Sequence, residues 1–272
     1  MSQFNEDNCG PEGLPLSVKR YIYRRDEFPQ IIDFERERLR RSLHPIRTKS
    51  NGMFHDVNLD YLEVSEDVFE YVVFSIDNST YNRDFLDPNN EPKLSIRTIF
   101  DQHINSFTIK MVFHEHEELS VALETAIGDA LSPMGLKRSI YHYCSITSSL
   151  ANGSKQPDAA WGPRRPPPGT SRRSTVVVET AITETNAKLR RDVDRWLDPI
   201  NGLAKIVLAI KADRRRPKIS IERWQYTGVN SEIEPVQKIE ITESSEGDEV
   251  TVIGGATSYS LLISLPQIRR TS

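Results

Sequence analysis

Three polar positions interrupt an otherwise apolar stretch of this chain: Asp158 after Pro157, Glu179 inside Thr175-Val-Val-Val-Glu-Thr-Ala-Ile182, and Lys188 at the opening of a helical pattern. An ionised carboxylate within a buried, valine-rich strand needs a cation or hydrogen bonds around it. A divalent metal would supply the cation. If the short run at Gln156–Trp161 pairs with the Val-rich run, Asp158 and Glu179 become neighbours. Hard carboxylate oxygens suit Mg2+ or Mn2+, which keep several waters and accept phosphate oxygens beside one or two protein ligands. Lys188, early in the next helix, could then orient or polarise an attacking water. Such a trio would hydrolyse a phosphodiester.

Each residue also has an ordinary reading. Glu179 could pair with an arginine, Asp158 could cap a turn after its proline, and Lys188 could be a solvated lysine on a polar helix face. His114 and His116, two residues apart with no further Cys or His nearby, suit a structural or surface role better than a zinc site. No Gly-x-Ser-x-Gly turn points to acyl transfer. The loop Gly162–Ser174 carries Arg164, Arg165, Arg172 and Arg173 around Pro166-Pro167-Pro168-Gly169. It offers cations on a semi-rigid tether that would attract a phosphate backbone or simply solubilise the surface.

The elements that must position these residues follow from periodicity. Leu119, Ala122, Leu123, Ala126, Ile127, Ala130 and Leu131 recur at i, i+3, i+4, i+7, which predicts a helix from His116 that Pro133 and Gly135 stop. Strands are expected near Ser139–Ile146, Gln156–Trp161 and Thr175–Ile182. A helix over Asn186–Leu197 follows, with Thr183 or Thr185 as its cap and Leu189, Val193, Trp196 and Leu197 on one face. Lys205–Ala212 and Lys218–Trp224 read as a hairpin, and Val250–Ile253 and Tyr259–Leu265 as terminal strands. Trp161, Trp196 and Trp224 are expected in or near the core. The fold class is therefore α/β (α+β mixed), a mixed sheet with helices packed against it.

The first part of the chain is less regular. Residues 1–16 are polar with Gly and Pro and read as a mobile tail. Phe28–Leu43 reads as a highly charged, solvated helix, Leu59–Ile76 as mixed, and Asp77–Pro92 as a loop. The expected organisation is a tail (1–16), a helical and mixed N-terminal extension (17–95), and a main domain (96–272).

On Pro157-Asp158-Ala159, Val176-Val177-Val178-Glu179, Lys188-Leu189-Arg190-Arg191-Asp192 and Trp196-Leu197, the chain resembles the PD-(D/E)XK nuclease superfamily. More closely it is similar to a group of fungal proteins distantly related to bacterial restriction endonucleases. The resemblance covers about residues 110 to 230. It implies a restriction-endonuclease-like central mixed sheet, with Asp158 and Glu179 as ligands of Mg2+ or Mn2+. An acidic residue of the first helix would complete the site, Glu118 first and Glu124 behind it. The superfamily's lysine two positions after the Glu is Ala181 here, so Lys188 from the following helix is nominated in its place. The implied function is metal-dependent hydrolysis of nucleic acid, DNA before RNA. The alternative is the same fold with a silent site, binding protein or nucleic acid.

Composition sets the outer bounds. The chain has 272 residues, 37% hydrophobic and 27% charged, which suits a globular protein and excludes a fibrous or wholly disordered one. With 39 acidic against 35 basic residues, the net charge of −4 makes any attraction to a polyanion local. Two cysteines, Cys9 and Cys144, give no disulfide framework or thiolate cage, so a reducing compartment is expected. Neither a leader nor a membrane span is read, leaving cytoplasm or nucleus, with no membrane partner and a homodimer allowed.

Overall fold

The computed structural model describes residues 9–43, 69–87, 96–112, 114–143, 147–150, 153–169, 173–182, 184–200, 202, 204–213, 218–226, 233–243 and 250–254. In chain order the elements are β1 (Arg20–Ile22), α1 (Phe28–Leu43), β2 (Tyr71–Ser75), α2 (Asn78–Tyr81), β3 (Arg97–Asp101), β4 (Ser106–Lys110) and α3 (His114–Leu131). Next come β5 (Ile140–His142), β6 (Ser148–Leu150), β7 (Gly153–Lys155), β8 (Ala159–Pro163), β9 (Val176–Ala181) and α4 (Asn186–Leu197). The last strands are β10 (Ile206–Asp213), β11 (Lys218–Tyr226), β12 (Ile233–Glu243) and β13 (Val250–Ile253). The fold is mixed α/β, as the residue pattern requires.

Two mixed sheets result. A six-stranded sheet runs β1-β2-β4-β3-β7-β6, and a seven-stranded sheet runs β13-β12-β11-β10-β9-β8-β5. In the larger sheet β5, β8 and β9 are antiparallel neighbours, whereas β9 and β10 are parallel and joined through α4. A parallel pair needs such a crossover. Alternation along β9 and β10 then sorts the side chains. Val177, Ala181, Val207 and Ala209 pack on Leu189, Val193, Trp196 and Leu197 of α4. Val178 and Ile210 lie on the opposite face with Leu123 and Ile127 of α3. Helix α4 starts where expected, because Thr185 Oγ1 accepts the Lys188 N–H at 3.1 Å.

The smaller sheet has its own core of aromatic rings. Phe28 of α1 meets Phe74 of β2 edge-on at 5.1 Å, and Tyr81 stacks on Phe100 at 3.9 Å. Strands from both sides of the expected boundary near residue 95 share this sheet, since β2 pairs in register with β4 over Tyr71↔Lys110 to Ser75↔Ser106. Hydrogen bonding is therefore continuous across that boundary. Of the expected mobile tail (1–16), residues 1–8 lie outside the described residues and 9–16 need correction: Leu14 is buried, with the following Val18, against Phe69, Tyr71 and Val73. A single leucine in a polar stretch suffices to anchor it once a sheet face is waiting. The strand expected at Tyr259–Leu265 lies outside the described residues.

Candidate functional site

The junction of the two sheets holds a buried cluster of ions. Strand β8 pairs with β9 from Ala159↔Val178 to Trp161↔Val176, and just before it the Asp158 N–H donates to Val178 O at 3.2 Å. Asp158 therefore stands one residue outside the ladder, and its carboxylate meets His116 of α3, whereas Glu179 lies on the α4 face with Trp196. Asp158 Oδ2 folds back to accept the Thr180 backbone N–H at 2.6 Å. It also meets His116 Nε2 at 2.9 Å and Lys110 Nζ at 3.0 Å.

The smaller sheet supplies the cations. Arg97 and Lys110 are register partners at the ends of β3 and β4 and therefore point the same way. The Arg97 guanidinium donates to the carbonyls of Pro157 (2.9 Å) and Asp158 (2.6 Å) and lies 3.3 Å from Asp158 Oδ1. Lys110 Nζ donates to Thr180 O at 2.7 Å and stands 3.9 Å from Glu184 Oε2. Lys155 ends β7 opposite Ile99, with its ammonium 3.2 Å from Glu179 Oε1 and 2.7 Å from Asp192 Oδ2. The approach of β7 to β3 depends on Gly153: with φ at 137°, a Cβ there would lie 2.0 Å from Phe100 O.

Glu179 also accepts the indole N–H of Trp196, one face of α4 thus reading both carboxylate and core. Lys188 is buried, not solvated. Its ammonium donates to Asp192 Oδ2 at 2.5 Å and lies 5.4 Å from the centre of the Tyr71 ring. The Tyr71 hydroxyl in turn donates to Glu184 Oε2 at 2.7 Å.

Burial and charge set the protonation of the cluster. Burial opposes ionisation of Asp158, but the neighbouring His116 and Lys110 hold its carboxyl well below the usual range. Asp192 is likewise lowered, against burial, by Lys155 and Lys188. Glu179 behaves oppositely: burial pushes it up to about 7 despite Lys155. Glu70 is also pushed up to about 7 by burial. Burial lowers the Lys188 ammonium, whereas Lys110 rises against burial because Asp158, Glu70 and Glu184 surround it.

Other expected site residues fall elsewhere. Glu118 is exposed on α3, about 200° round the helix from His116. Glu124 is exposed and meets His142 Nδ1 at 3.0 Å, so neither joins the cluster. The α3 contact to Asp158 comes from His116. Arg164, Arg165 and Arg173 are exposed, and Arg172 lies outside the described residues. Their loop leaves the far end of β8, roughly 20 Å along the strand from Asp158. The arginines therefore do not flank the carboxylates, a point that linear proximity concealed.

No family model, curated protein or solved structure matches the chain. The chemistry must be judged from the donors themselves. Mg2+ demands an octahedral shell with several waters. Here Asp158 and Glu179 side chains are 1% and 2% exposed, and ammonium groups stand beside both carboxylates. Among the described residues no group of three His, Cys, Asp or Glu is arranged to hold a metal ion. As placed, these residues do not fit Mg2+ or Mn2+; they neutralise one another. No described helix is long and apolar enough to cross a membrane.

Proposed function

We propose that the chain is a nuclease-fold module of the PD-(D/E)XK type with a hydrolytically silent site, and that it binds nucleic acid without cleaving it. The observation that carries this reading is the Lys110 ammonium, held 3.0 Å from Asp158 Oδ2 and 2.7 Å from Thr180 O, where a catalytic cation would have to stand. Ala181 at the position usually given to lysine agrees with it. The family half of the reading is supported by the order α3, antiparallel β5, β8 and β9, α4, then parallel β10. The binding half is supported by Arg164, Arg165 and Arg173, exposed beside the β8–β9 connection. Such a patch would neutralise backbone phosphates without reading sequence.

A metal-dependent nuclease is the second reading, and one observation favours it: Asp158 and Glu179 are both buried in the one ion cluster where β8 meets β9. One experiment separates the two. Duplex DNA, single-stranded DNA and RNA are each incubated with the protein in Mg2+ and in Mn2+, with Glu179→Ala as control. The silent-site reading expects no cleavage above the control, and salt-sensitive binding by fluorescence anisotropy. Cleavage that disappears with Glu179→Ala would establish the nuclease instead.

A further inference from the structure

The oxygens around Lys110 are of an unusual kind for a lysine pocket. A carboxylate oxygen (Asp158 Oδ2, 3.0 Å), a backbone carbonyl (Thr180 O, 2.7 Å) and a second carboxylate (Glu184 Oε2, 3.9 Å) converge on one ammonium that enters from the other sheet. Carboxylates and main-chain carbonyls are the ligands hard dications select. Two more buried oxygens in this neighbourhood, Glu184 Oε1 and Thr180 Oγ1, have no hydrogen-bond partner among the described residues. A buried carboxylate oxygen left without a donor is costly, so the donor set exceeds what a tethered lysine satisfies.

We propose that this point is a divalent-cation seat whose resident cation is the Lys110 ammonium, so that the protein excludes metal with a residue of its own. The inference rests on the silent-site reading and gives its cause. A tethered cation competes at a high effective concentration, and it meets Asp158 and the Thr180 carbonyl directly, without the waters a dication would bring. Taking away the side chain removes both the charge and the volume of the four-carbon stem. Asp158, Glu184 and the Thr180 carbonyl then face the volume that the stem had filled.

The test measures Mn2+ uptake by equilibrium dialysis and thermal unfolding in EDTA and in Mn2+, for the parent, Lys110→Ala, Lys110→Asn and Lys110→Ala/Asp158→Asn. The parent should take up no Mn2+ and melt at the same temperature in both buffers. Lys110→Ala should bind Mn2+ stoichiometrically and gain roughly 5 °C from saturating metal, and the added Asp158→Asn should abolish both effects. Lys110→Asn offers a short oxygen ligand if alanine folds poorly. Mn2+ bound by the parent through Asp158 would overturn the silent-site reading itself. A parent and folded Lys110 variants that all ignore Mn2+ would overturn the seat and leave that reading standing. Variants that stay unfolded even in millimolar Mn2+ would equally overturn it, because a seated dication must replace the lost charge.

Discussion

The Asp158 carboxylate accepts the Thr180 backbone N–H at 2.6 Å, so a side chain completes the β8–β9 ladder just where the main chain of β8 begins. The same oxygen meets Lys110 and His116, which ties the ladder to the smaller sheet and to α3. Charge is the critical part of that junction. Asp158→Asn keeps an oxygen for the Thr180 N–H but takes from the buried Lys110 its nearest counter-ion and from Arg97 one of two, which should cost about 3–5 kcal/mol. Denaturant unfolding checks this, and a loss below about 1 kcal/mol would show that the junction is not held by charge.

The pH dependence of stability should run against the common pattern. In the unfolded chain Glu179 loses its proton near the ordinary glutamate value of 4.5, whereas the folded chain keeps it up to about 7. Between those values the unfolded state binds fewer protons, so rising pH favours unfolding. Glu70 acts in the same sense over the same window. Asp158 and Asp192, held low, lose their stabilising effect only at acid pH, below the unfolded carboxylate range. Calorimetry from pH 5 to pH 8 should therefore show the parent falling by on the order of 2–3 kcal/mol per raised carboxyl. Glu179→Gln should flatten the curve; an unchanged slope would remove Glu179 from the account.

How much of this was legible depends on the range of the interaction. Helix α4, its Thr185 cap and strand β9 follow from local pattern, because valine alternation and a 3.6-residue stripe are nearly complete within single elements. That β8 and β9 are neighbouring strands was also readable, since one connection joins them. The cations were not. Arg97, Lys110 and Lys155 end short strands of the other sheet, and nothing local tells a buried strand-end lysine from a solvated one. Lys188 and Asp192 offered a partial signal in their i, i+4 spacing. Burial of that pair depends on Tyr71, which lies more than a hundred residues earlier in the chain.

The two lysines near Asp192 should differ in weight. Lys155 bridges Glu179 and Asp192, at 3.2 and 2.7 Å, while Lys188 pairs with Asp192. Lys155→Met leaves two buried carboxylates undercompensated and should cost about 3–5 kcal/mol. Lys188→Met removes an ammonium that burial already disfavours, keeps the apolar contact with the Tyr71 ring, and should cost less than half as much. Chemical denaturation of both variants decides it. Equal losses would mean that Lys188, not the β7 lysine, organises the carboxylates.

The N-terminal segment should behave as part of the fold and not as an appendage. Leu14 is buried to 1% exposure with Val18 on Tyr71 and Val73, and Gly10 N–H donates to Leu14 O at 2.7 Å, closing a turn around it. The same Tyr71 donates to Glu184 in the ion cluster, so loss of this packing should be felt there. Leu14→Ala should destabilise the protein by about 2–4 kcal/mol, the usual cost of emptying a closed leucine site. It should also speed proteolysis ahead of Val18, whereas substituting the exposed Leu16 should do neither. Parent-like stability of Leu14→Ala under urea would restore the reading of a loose tail.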